Sequence, residues 1–130
     1  MKKIFAVCFL GVWLLALAAC GRSSAMPEGT WKLVSLNGNP VIEGTGLTLG
    51  FEEDRVFGNS GCNSFGGSYA LNGSSLEFDE LATTLMACAD EAVMAQESSY
   101  LAALNAVETM EAGEEGLVLR GPEVELVYSK

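Results

Sequence analysis

Between residues 30 and 128 the apolar positions recur mostly with a period of two, the spacing of strands with one face buried. Thr30 to Leu36 forms the first such run, and Asn37-Gly38-Asn39-Pro40 after it is composed as a turn. Leu47, Leu49 and Phe51 fall on one side, with Thr48, Gly50 and Glu52 on the other. Arg55 to Asn59 gives a further strand that leads into a glycine-rich stretch. Tyr69 and Leu71, then Leu76 and Phe78, flank Asn72-Gly73, a strong signal for a tight hairpin. Leu117 and Leu119 alternate near the end, followed by Val124, Leu126 and Tyr128, with Gly121-Pro122 turning between them. Glu52, Glu77 and Glu125 all take polar sides. A sheet that is oily on one face and acidic on the other needs a cover for the oily face.

The cover is a segment with a different period. From Asp90 to about Val107, the residues Val93, Met94, Glu97, Tyr100, Leu101, Leu104 and Val107 lie along one side at helical spacing, with Glu97 the interruption. Asp90 is suited to cap the first turn. Met94 and Tyr100 on that stripe read as core packing rather than as a ligand-facing surface. The pattern therefore predicts an α+β fold, mostly β: a bent antiparallel sheet wrapped around a single helix.

The N-terminus follows neither pattern. Met1-Lys2-Lys3 is a cationic start, and the apolar run from Ile4 to Ala19 is too short and wrongly flanked for a comfortable transmembrane helix. Leu17-Ala18-Ala19-Cys20 resembles the lipobox of bacterial lipoproteins, which implies removal of residues 1–19 and lipid on Cys20. Residues 20–28 then form a lipid-attached tether, flexible because of Ser and Gly, and residues 29–130 the domain. Gly21, where an aspartate would suggest retention in the inner membrane, favours the outer membrane facing the periplasm. Several acyl chains on one cysteine are enough to hold a protein at a bilayer surface. The expected membrane contact is thus through lipid.

This processing changes both the cysteine count and the charge. Cys8 is lost and Cys20 is taken by lipid, so Cys62 and Cys88 remain. Two cysteines in an exported protein form a disulfide more often than they stay free thiols. The mature chain keeps Arg22, Lys32, Arg55, Arg120 and Lys130 against all 17 acids, a formal charge of −12. Such a surface excludes nucleic acid as a partner, since neutralised phosphates supply that affinity. It equally disfavours an electrostatic grip on anionic lipid. A soluble monomeric domain is the expectation.

The catalytic inventory is thin. There is no histidine, which removes the usual general base, the His-assisted nucleophiles and the commonest zinc ligand. Lys32 and Lys130 are not near a serine in any recognisable signature. The carboxylate pairs Glu52-Glu53-Asp54, Asp79-Glu80 and Glu114-Glu115 sit at turns and strand ends, where solvated charge is normal; a calcium loop would need alternating oxygen ligands around a glycine. The stretch Gly58–Gly67 lacks the glycine-lysine-serine ending of a phosphate cradle. Neither an enzyme nor a cofactor or metal site is expected.

The two cysteine-bearing stretches carry a family resemblance. Gly61-Cys62-Asn63-Ser64-Phe65-Gly66-Gly67-Ser68-Tyr69, then Leu76, Thr83-Thr84-Leu85-Met86-Ala87-Cys88, Gln96-Glu97 and Leu101-Ala102-Ala103-Leu104 resemble the META-domain, or HslJ-like, family over about Gly29 to Tyr128. The resemblance implies an incomplete barrel closed by a helix, no agreed biochemical activity, and a link to stress tolerance, with some members tied to secretion or motility. The expected role is non-catalytic binding or support at the cell envelope. Its working surface is expected at the cysteine-bearing end, through Asn63, Phe65 and Met86 toward an envelope protein. Buried, Phe65 would instead plug the barrel end, and Asn63 would bond its own loop. Two other readings stand beside it: a carrier of lipid or another apolar ligand, and a protease inhibitor acting through the 58–67 loop.

Overall fold

The computed structural model describes residues 26–130. Cleavage of residues 1–19, lipid attachment at Cys20 and most of the 20–28 tether lie outside the described residues. Within them, no helix is long and apolar enough to cross a membrane.

Among the described residues, nine strands and one helix follow in order: β1 (Gly29–Leu36), β2 (Asn39–Pro40), β3 (Thr48–Glu52), β4 (Arg55–Asn59), β5 (Ser64–Asn72), β6 (Ser75–Thr83), α1 (Glu91–Asn105), β7 (Thr109–Ala112), β8 (Gly116–Gly121) and β9 (Val124–Ser129). Every pairing is antiparallel, in the order β2-β1-β3-β4-β5-β6-β7-β8-β9. A further β1–β9 pairing, Leu33 opposite Tyr128 and Leu36 opposite Leu126, bends the sheet round on itself. The ring stays incomplete at one seam, where β6 and β7 share only the Ser75–Thr109 pair. Two flanking bonds reinforce it, from Leu76 N to Glu108 O and from Met110 N to Ser74 O.

The alternation in the sequence sets which face looks inward. Trp31 and Leu33, Leu49 and Phe51, Val56, Phe65, Leu76, Leu117 and Leu119, Leu126 and Tyr128 are all buried in one core. Glu52, Glu77 and Glu125 are exposed, as their places in the alternation require. Two details differ from the sequence expectation. Asn37 (φ 51°) and Gly38 (φ 80°) alone make the first turn, so Asn39 and Pro40 are free to pair back onto β1 as the short β2. In addition, β7 is a strand that the alternation did not announce, because Met110 is its one inward apolar residue.

The helix lies across the barrel opening. Asp90 caps it, accepting from Ala92 N at 2.8 Å and Val93 N at 3.4 Å. Tyr100 and Leu104 are fully buried, while Leu101 packs at the margin of the core. The Tyr100 hydroxyl sits 3.1 Å from that of Tyr128 and donates to Thr48 O at 3.2 Å, anchoring the helix to the barrel wall on two sides. Burial pushes both phenols above their ordinary pKa.

Candidate functional site

At the end of β4 the chain makes a four-residue loop, Ser60–Asn63, before β5 begins. This loop does not project. Ser60 and Asn63 are buried, and Ser60 N bonds Asn63 O at 2.8 Å, closing a tight turn. Most of the glycine-rich stretch is in fact strand, with Gly58 opposite Phe65 and Asn59 opposite Ser64. A protease-inhibiting loop needs to stand clear of its scaffold, so the geometry overturns that reading.

The loop is held from below by Glu97. Its Oε2 accepts from Ser60 Oγ (2.7 Å), Cys62 N (3.1 Å) and Asn63 N (2.8 Å), and its Oε1 accepts from Asn63 Nδ2 (2.6 Å). Glu97 as a whole is only 6% exposed. Burial alone would raise its pKa, but the donors from Asn63, Ser60 and Cys62 favour the charged form and bring it below the ordinary carboxylate value. The residue that interrupted the apolar helical stripe is therefore the centre of a charge-assisted network. Its neighbour Gln96 reaches the other way, accepting from Ile42 N at 2.7 Å and donating to Thr45 Oγ1 at 3.1 Å.

Asn63 passes this order on to the segment after β6. Its Nδ2 donates to Met86 O (3.1 Å), while its Oδ1 accepts from Met86 N (2.6 Å) and Thr84 Oγ1 (2.9 Å). The side chain amide thus takes both backbone groups of Met86, as a strand neighbour would. Two residues on, Cys88 is bridged to Cys62, with the Cα atoms 5.9 Å apart. The expected disulfide is present.

The named site residues divide on exposure. Phe65 is 5% exposed and meets the Tyr100 ring edge-on at a centroid distance of 6.0 Å. Asn63 is equally buried. Neither side chain can touch a partner; Phe65 plugs the barrel end, and Asn63 is spent on its own structure. Met86 remains outside at 62%, and Leu85 beside it, which the sequence reading passed over, is 94% exposed. These are the two most exposed large apolar side chains among the described residues. The position of Leu85 in the short irregular run between β6 and α1 was the available signal.

The META domain family matches residues 24–130, the whole of this architecture. The chain belongs to the META domain family. Solved structures agree with the fold. An NMR structure of a protein from Burkholderia xenovorans shares 25% identity, covers 78% of this chain and 81% of its own, and superposes with a TM-score of 0.65. A second NMR structure, also at 25% identity, covers 77% and 86% with a TM-score of 0.63. The crystal structure of a DUF4847 family protein from Bacteroides vulgatus, at 14% identity over 78% and 92%, has a TM-score of 0.56 and shares the fold alone. A comparison with curated proteins found no match. In this META domain the quoted motifs serve mainly to build and pin the disulfide-tied end.

Proposed function

We infer that this META domain is the folded part of a non-catalytic envelope lipoprotein, and that it binds an envelope protein through Leu85 and Met86. The observation that carries this reading is the combination of exposure and rigidity at that pair. A free loop would fold such side chains inward or leave them mobile. Here Met86 is fixed through both backbone groups and Cys88 is covalently tied, so two apolar side chains are held in water at a standing cost. Preorganised apolar anchors of this kind concentrate binding energy at interfaces.

The register supports the same assignment. Gly29, where the tether joins the domain, pairs with Phe51 beside the β3–β4 turn, whereas the disulfide-tied loop leaves the other end of β4. A domain held by lipid on Cys20 would carry Leu85 and Met86 on the end away from its attachment. Stress tolerance at the envelope is the setting that the META domain family suggests.

The carrier reading has less behind it. The described clefts are open depressions of mixed lining, such as the one of about 560 Å³ among Ser75, Glu77, Asn105 and Glu108. A Leu85→Ser, Met86→Ser double variant should lose its partner while melting at the wild-type temperature. A double variant that keeps the same partner sinks this proposal. Separately, Cys20→Ser should move the protein from the membrane to the soluble fraction.

A further inference from the structure

Met26, Met86, Met94 and Met110 are the methionines among the described residues, and their sulfurs differ in access. Met110 is 3% exposed, and Met26 packs against the core. Met94 is half-buried, and its Sδ accepts the Cys88 N–H at 3.4 Å, which occupies a lone pair. Met86 has neither protection. Its hydrogen bonds with Asn63 run through its backbone N and O, so the thioether is left without a partner on a residue that is mostly in water.

This exposure is fixed. A free loop could turn the side chain inward, but Asn63 grips the backbone of Met86 and Cys88 is bridged to Cys62 two residues on. The rest of the domain offers an oxidant little else. Cys62 and Cys88 are already joined, the sequence has no histidine, and Trp31 is 1% exposed. The free thiol that would ordinarily intercept a two-electron oxidant is therefore missing among the described residues, and the Met86 sulfur is the next nucleophile in line.

Resting on the binding reading above, we propose that Met86 is a site of reversible sulfoxidation by a hydroperoxide, and that its oxidation switches off the Leu85–Met86 surface. The sulfur lone pair attacks the outer oxygen of the peroxide. The O–O bond breaks as the S–O bond forms, and the other oxygen leaves, after a proton shift, as water or an alcohol. Sulfur loses two electrons and the peroxide gains them. Two thiols of a reductant reverse the change, leaving a disulfide and water, and a sulfoxide this exposed is open to an enzyme that does so. The modification puts a polar, chiral group where an apolar anchor stood. It leaves the fold alone, because what Met86 gives the fold passes through its backbone. Leu85 cannot take oxygen in this way, so the pair combines one constant anchor with one that oxidation can remove.

The test treats the lipidated protein, in its own envelope and with a photo-crosslinker at position 85, with graded hydrogen peroxide. Fragment mass spectrometry should find the added oxygen on Met86 before Met26, Met94 or Met110. The protein adduct should fall about tenfold in step with that oxygen, as for loss of one interface anchor, while the purified protein keeps its untreated melting temperature. Met86→Leu keeps an apolar side chain of similar size without an oxidisable sulfur. Its adduct should survive the same treatment, which also shows the partner to be undamaged. First oxidation at any other methionine overturns the proposal. So does an adduct that persists once Met86 is oxidised, one that Met86→Leu loses equally, or a loss that tracks a falling melting temperature. No adduct from the untreated protein would remove the binding reading and the switch with it, whereas the mass of the Met86 fragment still decides where the oxygen goes.

Discussion

Glu97 offers the sharpest test of how the disulfide-tied end is built. In Glu97→Ala, the Cys62 and Asn63 amides and one hydrogen of the Asn63 side chain lose their acceptor, while Ser60 Oγ keeps Asn63 O at 2.8 Å. Each buried donor left unpaired costs about 1–3 kcal/mol, and water entering the space returns part of it, so a loss of about 3–5 kcal/mol is expected. Glu97→Gln retains one oxygen but turns an amide donor toward another donor, for a loss of about 2 kcal/mol. Urea unfolding followed by fluorescence of Trp31, the only tryptophan in residues 29–130, measures both. The pH dependence adds a signature that packing loss lacks. The carboxyl group's pKa is lowered in the fold from its ordinary 4.5, so the stability it supplies is whole above that value and is lost as pH falls through the folded value. The gap between wild type and Glu97→Gln should therefore be constant near neutrality and narrow below about pH 4. A loss under 1 kcal/mol for Glu97→Ala, or a gap that ignores pH, would refute the network as the support of this loop.

Three other outcomes follow from the same geometry. Removing the bridge with Cys62→Ser and Cys88→Ser, 26 residues apart, should lower stability by about 3 kcal/mol in the same urea assay, and a reductant should do the same to the wild type. Phe65→Ala should cost about 3–5 kcal/mol by calorimetry as a core truncation, whereas Leu85→Ser should change stability by less than about 0.5 kcal/mol. Tyr100 and Tyr128 are held above the ordinary 10.0, so alkali should favour the unfolded chain from about pH 10 upward, and absorbance should show the two phenols ionising only on unfolding.

Much of the fold was legible because the sheet has one buried face. Leu47, Leu49 and Phe51, or Leu126 and Tyr128, can be read as inward without knowing their neighbours, and Asp90 announces its helix by chemistry alone. The closure was not legible: β1 meets β9 across almost the whole domain, and no local pattern encodes that pairing. The short β7 has too few apolar residues to alternate. At the site, the sequence marked the right stretches but not the direction of the side chains. Asn63 and Phe65 lie two residues apart on the inward side, while Met86 and Leu85 are displayed because Asn63 captures the backbone of Met86. Glu97 looked like a flaw in an apolar stripe because its partners, the Cys62 and Asn63 amides and the Ser60 and Asn63 side chains, lie 34 to 37 residues earlier, beyond the reach of any local pattern.

The central claim is that Leu85 and Met86 face a protein. Photo-crosslinking from position 85 in the lipidated protein, in its own envelope, tests it most directly. The account predicts one discrete protein adduct that disappears when Asn63→Ala releases Met86. Adducts to lipid alone, or none at all from a side chain this exposed, would contradict it.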